Sequence, residues 1–118
     1  IMECYERLRK FVSDMDIEDE NVYYDIRNMI EVKKIALPTA VYKAMMNFMD
    51  QVVEPYVFED TTEIFSEEEA KRNEKGIVEI KSEQAFQKLM VRFMEKLSEL
   101  DAKIETFAES ELKPYLER

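Results

Sequence analysis

The stretch that decides the fold is residues 86–107, which read FQKLMVRFMEKLSELDAKIETF. Large apolar side chains return there in steps of four and three residues, which is the spacing of an amphipathic helix with a heptad pattern. The positions of this heptad stripe are Phe86, Met90, Phe93, Leu97, Leu100, Ile104 and Phe107. We predict a long C-terminal helix over residues 83–110, with Ser82 as its cap and Pro114 beyond its end.

Three further helices are predicted upstream of this stretch. The first rests on an apolar pattern near the N-terminus, formed by Met2, Tyr5, Leu8, Val12 and Met15. A second helix over residues 20–35 is favoured over the strand-like alternation that residues 30–32 would also allow. A third, broadly apolar helix is expected to begin at Pro38 and Thr39 and to stop at Pro55, whose ring disfavours helix in the residue before it.

The region between these helices has turn and strand signals. Ser66 and Glu69 have the spacing of a capping box, which predicts a short helix through Glu74, and Gly76 stands where a left-handed terminator belongs. Residues 77–81 alternate apolar with charged side chains, as a short strand or an extended lead into the last helix would. If they form a strand, residues 56–58 are the expected partner in a two-stranded ribbon.

Together these elements predict an all-α or mainly α fold. A single glycine and short connections favour a four- to five-helix antiparallel bundle, with a long C-terminal amphipathic helix and at most one short two-stranded ribbon. The chain of 118 residues has the size of one domain, so we expect residues 1–118 to form a single helical domain. No internal repeat is apparent in the sequence.

Composition removes most familiar kinds of catalytic site. The chain has one cysteine and no histidine, which excludes an internal disulfide framework, a cysteine-based zinc cluster and imidazole chemistry. No glycine-rich phosphate loop or nucleophile elbow is present. No apolar run reaches the roughly 18 residues that cross a bilayer. We therefore expect a soluble cytoplasmic protein that is not an enzyme, needs no cofactor and does not contact membranes.

Charge narrows the class of partner. Lysine and arginine total 17 against 27 aspartate and glutamate, a formal net charge of −10, which disfavours direct binding of nucleic acid. One carboxylate-rich stretch has no basic residue between Lys43 and Lys71 and is predicted to form an acidic surface. Its members are Glu54, Glu59, Asp60, Glu63, Glu67, Glu68 and Glu69. A protein partner with a basic surface would complement it.

Carboxylates also allow an alternative based on a divalent metal. Residues 14–25 resemble a calcium-binding EF-hand loop, although Asp19 replaces the glycine of the sharp turn and Asn21 replaces the usual apolar residue. The Glu3-x-x-Glu6 and Asp16-x-x-Asp19 spacings resemble those of helical magnesium-dependent nucleotide pyrophosphohydrolases. The favoured interpretation is a solvated interhelical loop, with Asp19 or Asp16 as an N-cap and no residue assigned as a metal ligand.

The resulting functional hypothesis is a non-catalytic acidic helical module that binds a protein partner through an apolar helix face and an acidic surface. An adaptor, an assembly chaperone or an inhibitor, for example one encoded by a phage or a mobile element, would fit this description. A homodimer through residues 86–107 is also predicted, because this stripe is longer than the stripe at 41–53 can cover. The alternative is the carboxylate-based metal protein.

Overall fold

The computed structural model describes residues 1–66, 69–72 and 74–116, with the backbone alone at residues 62, 70–72, 78 and 116. The chain is mainly helical and divides into two compact units. The helical unit comprises residues 1–58 and 97–118, and the 59–96 unit comprises the residues between them. The single helical domain over residues 1–118 stays a prediction.

The first two predicted helices are confirmed. Helix α1 is Met2–Ser13 and helix α2 is Glu20–Val32. Asp19 caps α2, since its Oδ1 atom accepts hydrogen bonds from the amides of Asn21 at 2.9 Å and Val22 at 3.2 Å. The connection between the helices is also anchored by Ile17, whose side chain is fully buried. The acidic segment there is thus a structural link between two helices.

The predicted stop of the third helix at Pro55 is wrong. Helix α3 (Thr39–Phe48) continues through a π-helical turn at Met49–Val53 into helix α4 (Glu54–Val57). A proline in an α-helix lacks an amide and its ring crowds the carbonyl four residues earlier. The wider π turn accommodates that defect, because the amide of Glu54 donates to the carbonyl of Met49, five residues back.

The last helical stretch uses the same arrangement, so the prediction that Pro114 lies beyond the end of this helix is wrong. Helix α5 (Glu83–Phe107) runs into a π turn at Ala108–Leu112 and then helix α6 (Lys113–Leu116), around Pro114. Here the amide of Lys113 donates to Ala108, again five residues back. The π turns and the short helices after them have the same lengths in both stretches, and their residue numbers differ by the same offset throughout. The structure therefore reveals an internal correspondence that the sequence analysis missed.

The two corresponding stretches meet in the core of the helical unit. The rings of Phe48 and Phe107, which occupy equivalent positions, stack with centroids 4.4 Å apart and planes 16° from parallel. Tyr23 is buried in the same unit, and its hydroxyl donates to the carbonyl of Met49 at 3.3 Å. The surrounding buried side chains include Leu8, Phe11, Ile26, Ile30, Val41, Met45, Leu100, Ile104 and Leu112.

The 59–96 unit contains the strands. After a 3₁₀ turn at Thr61–Ile64, strand β1 (Ala70–Arg72) pairs antiparallel with strand β2 (Val78–Ile80). Gly76 lies between them with a φ of 78°, the left-handed conformation expected of it. The predicted partner of β2 at residues 56–58 is wrong, because Tyr56 and Val57 are helical and buried in the helical unit.

The predicted short helix from Ser66 to Glu74 is wrong where β1 lies. Part of its expected start does form, since the amide and hydroxyl of Ser66 donate to Glu69 Oε1 at 3.3 and 3.2 Å. Residues 67, 68 and 73 of that prediction lie outside the described residues. Ser66 and Glu69 thus keep the hydrogen bonds of a capping box, while Ala70–Arg72 pair with β2 and do not continue as a helix.

The predicted cap of the last helix is confirmed. Ser82 precedes α5, and its Oγ atom accepts a hydrogen bond from the amide of Ala85 at 3.1 Å. Within the described part of the chain, no helix combines the length and the apolar character that crossing a membrane requires.

The stacked phenylalanines provide a test of which part of the heptad stripe builds the core. Replacing the buried Phe107 with alanine should lower the free energy of unfolding by about 3–5 kcal/mol in chemical denaturation, since a large ring leaves a cavity. The matched control is Phe86→Ala on the same stripe, which should change it by less than about 0.5 kcal/mol because Phe86 is exposed. Equal losses in the two variants would contradict the described core.

Tyr23 gives a test at alkaline pH. Burial, followed by the charges of Glu54 and Asp50, raises the pKa of Tyr23 to about 12, so the folded state favours the protonated phenol. The contribution of this protonated phenol to the free energy of unfolding is fully present below pH 10 and is lost as the pH rises toward about 12. In chemical denaturation at several pH values, Tyr23→Phe should lose about 2–3 kcal/mol less free energy of unfolding over this pH range than wild type does.

The control for this measurement is Tyr24→Phe, which alters a half-exposed ring that contacts Tyr23 edge-on. Burial is the largest cause of the raised pKa of Tyr23 and the charge of Tyr24 is the smallest, so this variant should keep most of the wild-type slope between pH 10 and 12. A Tyr23→Phe protein with an unchanged slope would show that the buried hydroxyl is not responsible for the alkaline loss.

Candidate interaction face on helix α5

The predicted heptad stripe has two different environments along α5. Its C-terminal members are buried in the helical unit: Leu97, Leu100, Ile104 and Phe107. Its N-terminal members lie in the 59–96 unit, where Phe86 is 53% exposed, Met90 is 44% exposed and Phe93 is half-buried. The stripe therefore contributes to the core over its second half and faces solvent over much of its first half.

Two neighbouring side chains extend the exposed part of the stripe. Val91 is 58% exposed and Met94 is 55% exposed. Phe86, Met90 and Met94 follow one another in steps of four residues, so they lie on the same side of the helix. We call Phe86, Met90, Val91 and Met94 the apolar face. A contiguous group of large exposed apolar side chains is informative, whereas isolated ones are common on protein surfaces.

Another side of the same helix segment buries charge. The ammonium group of Lys96 belongs to a side chain only 1% exposed and lies 3.7 Å from Glu59 Oε2. The Arg92 guanidinium donates to both carboxylate oxygens of Glu59. Hydrogen bonding from Arg92 holds the pKa of Glu59 below its ordinary value. The segment thus places an ion-paired cluster inside while methionine and phenylalanine remain outside.

The other charged side chains of this helix segment are also paired. Lys88 Nζ lies 2.7 Å from Glu69 Oε2, and hydrogen bonding from Lys88 lowers the pKa of Glu69. Arg92 additionally lies 3.4 Å from Glu95. A shallow groove of about 450 Å³ beside Val91 is lined by Ile64, the neutral side chains of Gln84 and Gln87, and these paired residues. Among the described side chains, Lys88, Arg92 and Glu95 beside the apolar face each lie within ion-pair distance of an opposite charge.

The described carboxylates of the predicted acidic surface have different surroundings, and the surface itself stays a prediction. Glu54 is exposed on α4 in the helical unit, whereas Asp60 and Glu63 are exposed in the 59–96 unit. Glu59 and Glu69 are engaged in the ion pairs described above. Glu67 and Glu68 lie outside the described residues. Sequence reasoning grouped these carboxylates by proximity along the chain and had no signal for their pairing with residues of α5.

The carboxylates of the metal-site alternative have structural roles or are dispersed. Asp19 caps α2, and Glu3 Oε2 lies 2.7 Å from Lys33 Nζ. In residues 1–66 and the other described stretches, no three carboxylate or thiol side chains converge as a cation would need. The calcium-binding and pyrophosphohydrolase alternatives thus have no supporting geometry in that part of the chain.

A groove in the helical unit was not anticipated from the sequence. It has a volume of about 570 Å³ and lies beside the stacked rings of Phe48 and Phe107. A second depression of about 350 Å³ shares those two rings. One is lined by Ala102, Lys103 and Thr106 and the other by Lys43, Ala44 and Asn47, which are equivalent positions of the two corresponding stretches.

A sequence signal for this correspondence exists. Phe48 precedes the pair Pro55-Tyr56 by the same number of residues as Phe107 precedes Pro114-Tyr115. The rest of the two stretches shares apolar character but few identities, so the pattern is recognised only once both π turns are seen.

The partly buried ion cluster at Glu59 gives a testable pH dependence. Glu59→Gln should lower the free energy of unfolding by about 2 kcal/mol at neutral pH, because Arg92 and Lys96 lose a charged acceptor. Since the pKa of Glu59 is lowered, this stability is present above the ordinary glutamate pKa and is lost as the pH falls. The free energies of unfolding of wild type and Glu59→Gln should therefore approach each other as the pH falls below about 4.

The control for Glu59 is Glu63→Gln, which removes one charge from an exposed position in the same unit. It should leave the free energy of unfolding close to the wild-type value across the pH range. If both variants lost the same stability, net charge would explain the effect and the ion cluster would not.

The apolar face on α5 is thus defined by its exposed side chains and by the ion pairs beside them. Comparisons with protein-family models, with curated proteins and with solved structures found no match to this chain.

Proposed function

We propose that this protein is a non-catalytic interaction module that recognises a protein partner through the apolar face of α5. The observation that carries the proposal is the exposure of Phe86, Met90, Val91 and Met94 together on adjacent turns of one helix. Leaving this area in water is unfavourable, and a partner chain that covered it would remove the cost.

The chemistry of the face suits recognition of another protein. Methionine is unbranched and polarisable, so Met90 and Met94 can repack against partner side chains of varied shape. Phe86 supplies an aromatic anchor, the side-chain type that contributes large contact area in interfaces. These properties favour docking of an apolar helix or strand over binding of a small polar substrate.

Within this proposal, the chain acts as an adaptor, an assembly chaperone or an inhibitor in the cytoplasm, built on an antiparallel helical bundle. The exposed carboxylates of Glu54, Asp60 and Glu63 would steer a basic partner toward it, since the net charge is −10. Steering of this kind weakens as salt rises.

In this proposal, the interface of the homodimer predicted along residues 86–107 becomes shorter. Leu100 and Ile104 are fully buried within a single chain, so they contribute to the core and are not free to form a seam. Within residues 86–107, the exposed apolar side chains that a second molecule could contact are those of the apolar face.

The proposal is tested by comparing what intact wild-type and variant proteins retain from a cell extract. Met90→Glu places a charge in the centre of the apolar face and should reduce retention of a specific partner by at least tenfold, about 1.4 kcal/mol of binding free energy. The matched control is Ser98→Glu, which adds the same charge at an exposed position of α5 outside the face. The control should retain the partner as wild type does.

Circular dichroism and thermal unfolding of both variants establish that they are folded. If Met90→Glu is folded and retains the same proteins as wild type, the apolar face is not the recognition surface. Repeating the capture at high salt then measures the acidic contribution separately, because screening weakens charge steering and leaves apolar contact in place.

A further inference from the structure

We infer that the groove beside the stacked rings of Phe48 and Phe107 binds a small organic amine with an apolar body, such as a straight-chain alkylammonium ion. The groove lies within the helical unit, and its volume of about 570 Å³ is in the range of small-molecule sites. This site is separate from the apolar face of α5, so the inference goes beyond the proposed function and does not rest on it.

The apolar part of the groove suits the body of such a ligand. Val52 and Ala102 line it together with the two stacked rings. Because Phe48 is 5% exposed and Phe107 is 8% exposed, they leave little area on which a further aromatic ring could stack. A flexible alkyl chain can follow this surface, and covering it removes apolar area from water, which favours binding.

The hydroxyl groups that line the groove are placed to accept hydrogen bonds from a ligand. A hydroxyl carries one proton, and Thr106 Oγ1 donates its proton to the carbonyl of Ala102 at 3.0 Å. Ser110 Oγ likewise donates to the carbonyl of Thr106 at 2.9 Å. The backbone amides of this stretch donate within the helix. A ligand that donates hydrogen bonds is therefore favoured over one that only accepts them.

The charge beside these hydroxyls is negative. Glu111 lines the groove, and it also lines the depression of about 350 Å³ that shares the two rings. Among the described residues, none forms an ion pair or a hydrogen bond with the Glu111 carboxylate. An ammonium group supplies both the opposite charge and several N–H donors. The net charge of −10 adds to this preference, because it attracts a cation and repels an anion of the same size.

Lys103 also lines the groove but lies away from Glu111. Its Nζ atom is 5.0 Å from the centroid of the Tyr56 ring, in cation–π contact. The Tyr56 hydroxyl donates to Glu99 at 3.1 Å, so a carboxylate accompanies the lysine at this end. Lys103 and Glu111 are eight residues apart, which is about 12 Å of helix rise. A ligand's ammonium group can therefore lie at Glu111 without contacting that of Lys103.

NMR titration of the intact, isotopically labelled protein with octylamine tests the site. Octylammonium should bind saturably and shift the amide signals of residues 99–111. Octanoate has the opposite charge and octanol is neutral, so both should bind at least about fivefold more weakly. Glu111→Gln should weaken octylammonium binding by about fivefold, the effect of losing one exposed ion pair.

Matched variants control for net charge and for side-chain size. Glu109→Gln removes the same charge from an exposed neighbour in the same π turn that does not line the groove. Ala102→Phe fills the groove, whereas Ala40→Phe adds the same ring at an exposed position of α3. Ala102→Phe should abolish binding, and the two controls should keep the wild-type affinity. Circular dichroism establishes that each variant is folded.

The outcomes separate this inference from the proposed function. Absence of saturable octylammonium binding, or equally tight binding of octanoate or octanol, overturns the amine site. Equal losses in Glu111→Gln and Glu109→Gln would show that net charge attracts the cation without a defined site, which also overturns it. Capture of a protein partner by the apolar face is measured with Met90→Glu, which should bind octylammonium as wild type does.

Discussion

A proline without an amide is the constraint on which the helical unit depends. Pro55 and Pro114 each occur inside a helical stretch that the core needs to be longer than the proline would ordinarily allow. In both places a π turn lets the backbone stay helical and continue to a tyrosine beyond. The two turns also begin one residue after Phe48 and Phe107, whose rings stack in the core. The same local solution thus appears on both sides of the central contact.

Periodicity predicted most of the helices in this chain because an amphipathic helix is visible in the spacing of nearby apolar residues. The capping contacts of Asp19 and Ser82 and the left-handed Gly76 were also readable, since each depends on side chains within a few residues. The continuation of the helix past Pro55 and the strand at Ala70–Arg72 could not be predicted in this way. They are decided by non-local packing and by pairing between segments, which override local preference.

The candidate face shows where periodicity ceases to be informative. Leu97 and Met90 belong to one unbroken stripe, yet Leu97 is buried and Met90 is not. Spacing reports which side of a helix is apolar and does not report how much of that side its own chain covers. The acidic residues present a similar limit, because Glu59 reads as surface charge in the sequence and forms ion pairs with α5 in the structure.

The π turns also have a consequence for how this chain can change over evolutionary time. A π turn closes its hydrogen bond over five residues where an α-helix uses four, so it takes up one extra residue. In a regular helix an extra residue rotates everything downstream by about 100°. Loss of one residue between Met49 and Val53 should therefore restore regular winding and leave Tyr56 on its present side, whereas loss of one residue within Thr39–Phe48 should move it.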